Sequence, residues 1–248
     1  MIEEMLLPLV SERFATEPKY REGHVRIINA LPGRRILGLH VPDMKRVAKD
    51  LARRDDAIVI IHGFEKEAAE EARSGYGSRL AYEETVVWGL MINAMKIPWE
   101  QRREMLAKYV PVMDNWAVCD TFCCNAKWKC GRMELWDFLQ PFWDSHREFE
   151  VRFAIVMSMC YLMKEEWLTV IFQQLEKIDL SSIHSEYTNL PSPYYVRMGM
   201  AWLLATALAK YPDETRSFVN VSTLTDEVKR LYARKARESF RTKNVSPF

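Results

Sequence analysis

The sequence predicts an all-α fold, and three observations carry the prediction. Glycine is sparse, with 9 in 248 residues. Apolar residues recur at helical spacing along nearly the whole chain. Breakers at Pro32–Gly33, Ser74–Gly75, Ile97–Pro98, Gly131, Pro141, Pro191 to Pro193 and Tyr211–Pro212 leave segments of about 12–18 residues, an ordinary helix length.

Taken in order, Val41, Met44, Val47, Ala48 and Leu51 share one helical face. The stretch "AIVIIHGF" has a strand-like composition, but the helix-forming run "EKEAAEEA" continues it without a break, so 56–72 reads as one helix. Val87, Leu90, Met91 and Met95 define the next segment, and Trp99, Leu106, Tyr109, Val110 and Met113 the one after. Two later segments, "EVRFAIVMSMCYL" and "YVRMGMAWLLATAL", superimpose with Val151–Arg152 on Val196–Arg197 and with Ala154 on Gly199, an offset of 197 − 152 = 45. That period suits two-helix repeats of the HEAT type, which stack into a curved solenoid with one concave surface. The expected architecture is an all-α, HEAT-like repeat α-solenoid forming a single domain over 1–240, followed by a short disordered tail over 241–248.

Composition narrows the function classes. Apolar residues make up 48% of the chain and charged residues 28%, as in ordinary soluble domains. A net charge of +1 supplies no global field, so an acidic polymer would need positive charge gathered on one surface. The longest apolar runs, "FAIVMSMCYLM" and "MGMAWLLATALA", fall short of the ~20 residues of a bilayer span. No membrane association is expected. The N-terminus "MIEEMLLPLVSERF" carries acids where a secretory signal carries bases, which predicts a cytoplasmic protein. Five cysteines, four of them within 119–130, read as reduced thiols.

The stretch "NWAVCDTFCC" raises a chemical question, because Asp120 lies one helical turn after Trp116 on the same face of an otherwise apolar segment. A buried carboxylate is costly without a partner, so either a cation meets Asp120 or Asp120 lines an opening. A structural ion pair with Arg152 is one such arrangement. The spacing of Cys119, Cys123, Cys124 and Cys130 matches no zinc pattern, and the histidines at 24, 40, 62, 146 and 184 form no ligand pair in sequence, so no metal is expected. Basic residues gather in "MKRVAKDLARR" and in "VKRLYARKARESFRTK", where seven bases face one acid between Lys229 and Lys243. They read either as phosphate contacts or as solvated helix faces. "FEKEAAEEA" and "YEET" are acidic.

Five segments in a fixed order carry a family resemblance: "ILGLHVPDMKRVAK", "EETVVWGLMINAMK", "DNWAVCDTFC", "EFEVRFAIVMSMCY" and "YYVRMGMAWLLATALAKYP". From about Ile36 to about Pro212 the chain resembles the AlkD-like DNA alkylation repair proteins, which are built from HEAT-like repeats. The wording of "NWAVCDTFC" is similar to the branch of that family that keeps the fold without demonstrated glycosylase activity.

The resemblance implies a site and a reaction. The family's glycosylases remove cationic N3- and N7-alkylated purines, using a Trp and an Asp one turn apart, an Arg on a later helix and a second Trp. These positions fall on Trp116, Asp120, Arg152 and Tyr195, the last being tyrosine where the glycosylases have tryptophan. An alkylated purine is already a good leaving group, so its departure needs negative charge near an oxocarbenium-like sugar rather than a strong general acid. Asp120 would supply that charge and orient water. Trp116 and Tyr195 would flank the deoxyribose or the cationic lesion, each ring attracting positive charge by roughly 1–2 kcal/mol. Arg152 would hold the phosphate backbone. The lesion would stay stacked in double-stranded DNA, with no base flipping and no cofactor. The alternative is a non-catalytic helical-repeat scaffold that binds a nucleic acid or a protein partner.

Overall fold

A computed structural model describes residues 2–74 and 80–248. All regular structure among them is helical. The chain divides into two compact units, Met1–Lys129 and Cys130–Phe248.

The first unit contains eight helices among its described residues: α1 (Ile2–Leu6), α2 (Glu12–Thr16), α3 (Pro18–Ile28), α4 (Val41–Leu51), α5 (Ala57–Ser74), α6 (Tyr82–Ala94), α7 (Trp99–Tyr109) and α8 (Trp116–Cys123). Helix α6 is its axis. Apolar on every side, α6 has no solvent face to offer, and it is buried from Tyr82 to Ile92 with α4, α5, α7 and α8 packed around it. A row of rings runs across these helices, with Phe64 stacked on Trp88 at 5.7 Å, Trp88 against Tyr109 at 5.1 Å, and Tyr109 against Phe122 at 5.2 Å. This row fixes α8 against α6.

The ambiguous "AIVIIHGF" stretch is helical, as the run behind it requires. In α5, Ala57, Ile61 and Phe64 are buried at helical spacing, while Val59, which a strand would place with Ala57 and Ile61, is 70% exposed. Of the Ser74–Gly75 breaker, Gly75 lies outside the described residues.

Two glutamates inside this unit are anchored by backbone donors. Glu83 accepts the N–H groups of Leu37, Gly38 and Leu39 at 2.8, 2.7 and 3.3 Å. Gly38 makes that cradle possible, since its φ of 95° is open chiefly to glycine and its missing side chain admits the Phe14 ring. Glu84 caps α6 by accepting the Ala81 N–H at 2.9 Å, and burial raises its pKa.

The second unit contains α9 (Arg132–Trp143), α10 (Glu148–Met157), α11 (Glu165–Lys177), α12 (Tyr194–Lys210), α13 (Pro212–Val221) and α14 (Asp226–Glu238). Helix α12 has the same all-round apolar character as α6, and α10, α13 and α14 pack against it. Phe172 of α11 stacks on Phe218 of α13 at 4.4 Å.

Two expectations are corrected in this unit. Pro141 does not break the chain but sits exposed inside the last turn of α9, and the helix closes behind it through Asp144 N–H to the Gln140 carbonyl. The missing N–H costs one rung, to the Asp137 carbonyl, and the helix runs only two residues further. The C-terminal residues are not a loose tail either. Thr242 is 1% exposed and donates to the Ala236 carbonyl at 2.7 Å, while the Tyr232 hydroxyl donates to the Pro247 carbonyl at 2.9 Å. The apolar face of α14 and its hydroxyl partners hold the end of the chain. Burial pushes the Tyr232 phenol up to about 12.

Among the described residues, no helix is long and apolar enough to cross a membrane.

Candidate functional site

The first pair of expected site residues lies on α8 in the first unit. Asn115 starts the helix, its side chain accepting the Ala117 N–H at 2.7 Å and donating to the Ile28 carbonyl at 2.8 Å. The carboxamide thus caps α8 and ties it to the end of α3, where Asn29 takes the left-handed conformation that terminates a helix. Before it, Arg34 lies 3.5 Å from Asp114 and also donates to the Thr85 hydroxyl. The start of α8 is therefore held from three directions.

On that scaffold Ala117, Val118, Cys119, Phe122 and Cys123 face the core, whereas Trp116 and Asp120 are both half-buried. The Asp120 carboxylate is not sealed in the interior. It shares a partly open helix face with the tryptophan one turn earlier. The Trp116 indole is oriented as well, since its Nε1–H donates to the Ile27 carbonyl at 3.2 Å.

The cysteines around this helix diverge as adjacent helical positions must, with Cys123 buried and Cys124 exposed. Among the described residues, no group of three histidine, cysteine or carboxylate side chains is placed to hold a metal ion.

The second pair, Arg152 and Tyr195, lies in the second unit, and here the two residues are bonded directly. Arg152 Nη1 donates to the Tyr195 carbonyl at 2.6 Å, and its guanidinium lies 5.9 Å from the Tyr195 ring centre. Both are nearly inaccessible, at 5% and 6% exposure. Around the Tyr195 ring pack Phe149, Tyr187 and Tyr194, at 5.3, 4.9 and 5.2 Å. Gly199 lies beside the guanidinium, where a Cβ would make only an ordinary van der Waals contact of 3.6 Å with Arg152 Nη1.

A third residue completes this arrangement. Glu148, 2% exposed, accepts the Tyr195 N–H at 2.6 Å and the Ser185 hydroxyl. The buried carboxylate therefore satisfies one of the orphan donors in the first turn of α12, where negative charge is favoured by the helix dipole. Sequence reading missed Glu148, although its position four residues before Arg152 on one helix face was a usable signal. Asn115 carried a signal too, as an asparagine directly ahead of an apolar run. Arg197, which the 45-residue offset pairs with Arg152, has different surroundings: it donates to the Pro191 carbonyl at 3.1 Å and lies 3.2 Å from Glu227.

A family model described as DNA alkylation repair enzyme matches residues 15–240. The chain belongs to that family. Comparison with the curated proteins and with the solved structures gives no match. Membership in the DNA alkylation repair family assigns the chain a general role in that process, with DNA as the molecule it meets.

Proposed function

We propose that this member of the DNA alkylation repair family is a glycosylase that excises positively charged N3- and N7-alkylated purines from duplex DNA. The observation that carries the reading is the shared, partly open face of Trp116 and Asp120 on a helix whose other side is core. As the glycosidic bond breaks, positive charge moves from the base onto the sugar. A carboxylate about 4 Å away stabilises that charge by ~4 kcal/mol at an effective dielectric near 20, worth about a thousand-fold in rate. The same carboxylate orients the water that attacks the sugar. Trp116, held by its bond to Ile27, presents its ring to the lesion's positive charge. An open helix face reaches the sugar of a stacked nucleotide, so the base need not be extruded. The surface that carries this chemistry is the concave face of a HEAT-like solenoid.

In this reading Arg152 and Tyr195 act through position. Their bond, and the grip of Glu148, set the first turn of α12.

The test is a single-turnover excision assay on a duplex with one N7-methylguanine, comparing the wild type with Asp120→Asn. Base release by the wild type and a loss of about 10²–10³-fold in the variant is the expected result. Full activity in the variant refutes the mechanism.

The inaccessibility of Arg152 and Tyr195 favours a second reading, in which the α10–α12 arrangement is purely architectural. The protein is then a scaffold that binds a nucleic acid or a partner protein without cleaving it. Absence of base release from the wild type itself selects that reading.

A further inference from the structure

In the first unit a cleft of about 850 Å³ opens between the exposed side of α4, the start of α5 and the segment that joins α6 to α7. Its walls carry Lys45, Lys49, Arg53 and Lys96, and among the described residues none of these four is paired with a carboxylate. Arg54, also on the wall, is neutralised by Asp56 at 2.7 Å, which leaves Asp55 as the carboxylate of the lining.

Neither helix dipoles nor solubility accounts for this convergence. Lys49 and Arg53 sit at the C-terminal end of α4, where positive charge complements the dipole, but Lys45 belongs to its first turns and Lys96 to a different segment. The N-terminal ends of α5 and α7 also border the cleft and add partial positive charge of their own. The polar floor is rigid. Asn93 accepts the Trp128 indole N–H at 2.7 Å and donates to the Phe122 carbonyl at 3.0 Å, while buried Arg102 donates to the Ile92 and Met95 carbonyls beneath.

We infer that this cleft is a second contact surface for DNA, gripping the phosphodiester backbone beside the nucleotide that meets α8. The inference rests on DNA being the partner, as under the proposed function. Length decides between a polyanion and a single phosphate. From Lys45 to Leu51 α4 advances six residues, about 9 Å at helical rise, with Arg53 just past its end, and one strand of a duplex carries roughly two to three phosphates over that length of its axis. Four unpaired cations, three along this wall and Lys96 on the α6–α7 segment, fit a strand, whereas a lone phosphate would leave most of them unused. Asn125, which lines the cleft, follows the end of α8 by two residues, so backbone seated there lies beside the helix that carries Asp120.

The experiment is the salt dependence of binding to an unmodified duplex, for the wild type, Asp120→Asn and the double variant Lys49→Gln/Arg53→Gln. Each lost phosphate contact should lower the log–log slope by about 0.9, so the double variant should lose nearly two units, an approximately ten-fold weaker response to a four-fold change in salt. Asp120→Asn should keep the wild-type slope. As a readout independent of substitution, bound duplex should protect Lys45 and Lys49 from amine acylation. An unchanged slope in the double variant together with unprotected lysines overturns the cleft while leaving DNA as the partner. A wild type that does not bind the duplex even at low salt overturns both.

Discussion

Glu148 holds the backbone N–H of Tyr195 at 2.6 Å, across 47 residues of sequence, from a position four residues before the arginine that holds the carbonyl of the same tyrosine. One turn of α10 therefore clamps the first turn of α12 at both polar groups of a single residue. Each contact is charge-assisted and nearly dry, the condition in which a hydrogen bond is strong and its unpaired remainder expensive.

Replacing Glu148 by alanine strands the Tyr195 N–H and the Ser185 hydroxyl. At ~1–3 kcal/mol for the buried N–H and less for the part-buried hydroxyl, the expected destabilisation is about 2–4 kcal/mol in urea unfolding. Glu148→Gln keeps an acceptor oxygen and should lose no more than about half as much. Equal losses for the two variants would show that the carboxylate charge, not the geometry of acceptance, holds α12.

The clamp also shows what one sequence discloses. Periodicity located the helices because burial dictates it: the run "EKEAAEEA" decided the "AIVIIHGF" stretch as helix, and α5 buries Ala57, Ile61 and Phe64 as that reading requires. The Trp116–Asp120 face was legible for the same reason, since i and i+4 are neighbours on any helix. Tertiary bonds were not legible. Nothing local to "EFEVR" says that Glu148 and Arg152 spend their charges on a backbone more than forty residues away. Nor does "TKNVSPF" reveal that the Tyr232 hydroxyl and the Ala236 carbonyl will take it up. Pro141 misled because a proline removes one rung, the donor to the Asp137 carbonyl, and α9 absorbs that loss and closes two residues later instead of ending at it.

Trp116→Phe separates the ring from its anchor. Phenylalanine keeps an aromatic face but loses the N–H that reaches the Ile27 carbonyl at 3.2 Å. The partly exposed carbonyl can turn to water, so the stability loss should be about 1 kcal/mol or less in thermal unfolding. If the ring acts by orientation, excision under single-turnover conditions should fall by about three- to ten-fold. A rate unchanged within error would mean that the indole N–H serves the fold alone.

Gly89 is where α6 admits Tyr109. A Cβ at that position would overlap the hydroxyl end of the fully buried Tyr109 side chain, whose hydroxyl donates to the Thr85 carbonyl at 3.1 Å. Alanine would normally favour a helix interior by up to ~1 kcal/mol over glycine. Here the clash should reverse the sign and give a net loss of about 2 kcal/mol or more, with Tyr109 displaced from the ring row that seats α8. The second variant Gly89→Ala/Tyr109→Phe removes the hydroxyl that collides, and a double-mutant cycle should recover part of the loss. Additivity in that cycle would assign the strain to the ring carbons Cζ and Cε1, which a Cβ also overlaps, rather than to the hydroxyl.

His24 makes stability depend on pH in a definite direction. Burial lowers its pKa below the usual 6.5, opposed by the charge of Glu83 and reinforced by His40, and its Nε2 is buried without a hydrogen-bond partner among the described residues. Phe14 packs edge-on against the imidazole at 5.4 Å, so the neutral ring is the form that fits. As pH falls through 6.5 the unfolded chain binds the proton before the folded one does, and linkage then removes stability until the folded pKa is passed. Glu84, whose pKa burial raises, acts in the opposite direction on its own titration. The informative quantity is therefore a difference. The melting temperature of the wild type should drop more between neutral and mildly acidic pH than that of His24→Gln, which has no proton to gain at this position. Parallel melting curves for the two proteins across that range would mean that the imidazole is as well hydrated when folded as when unfolded.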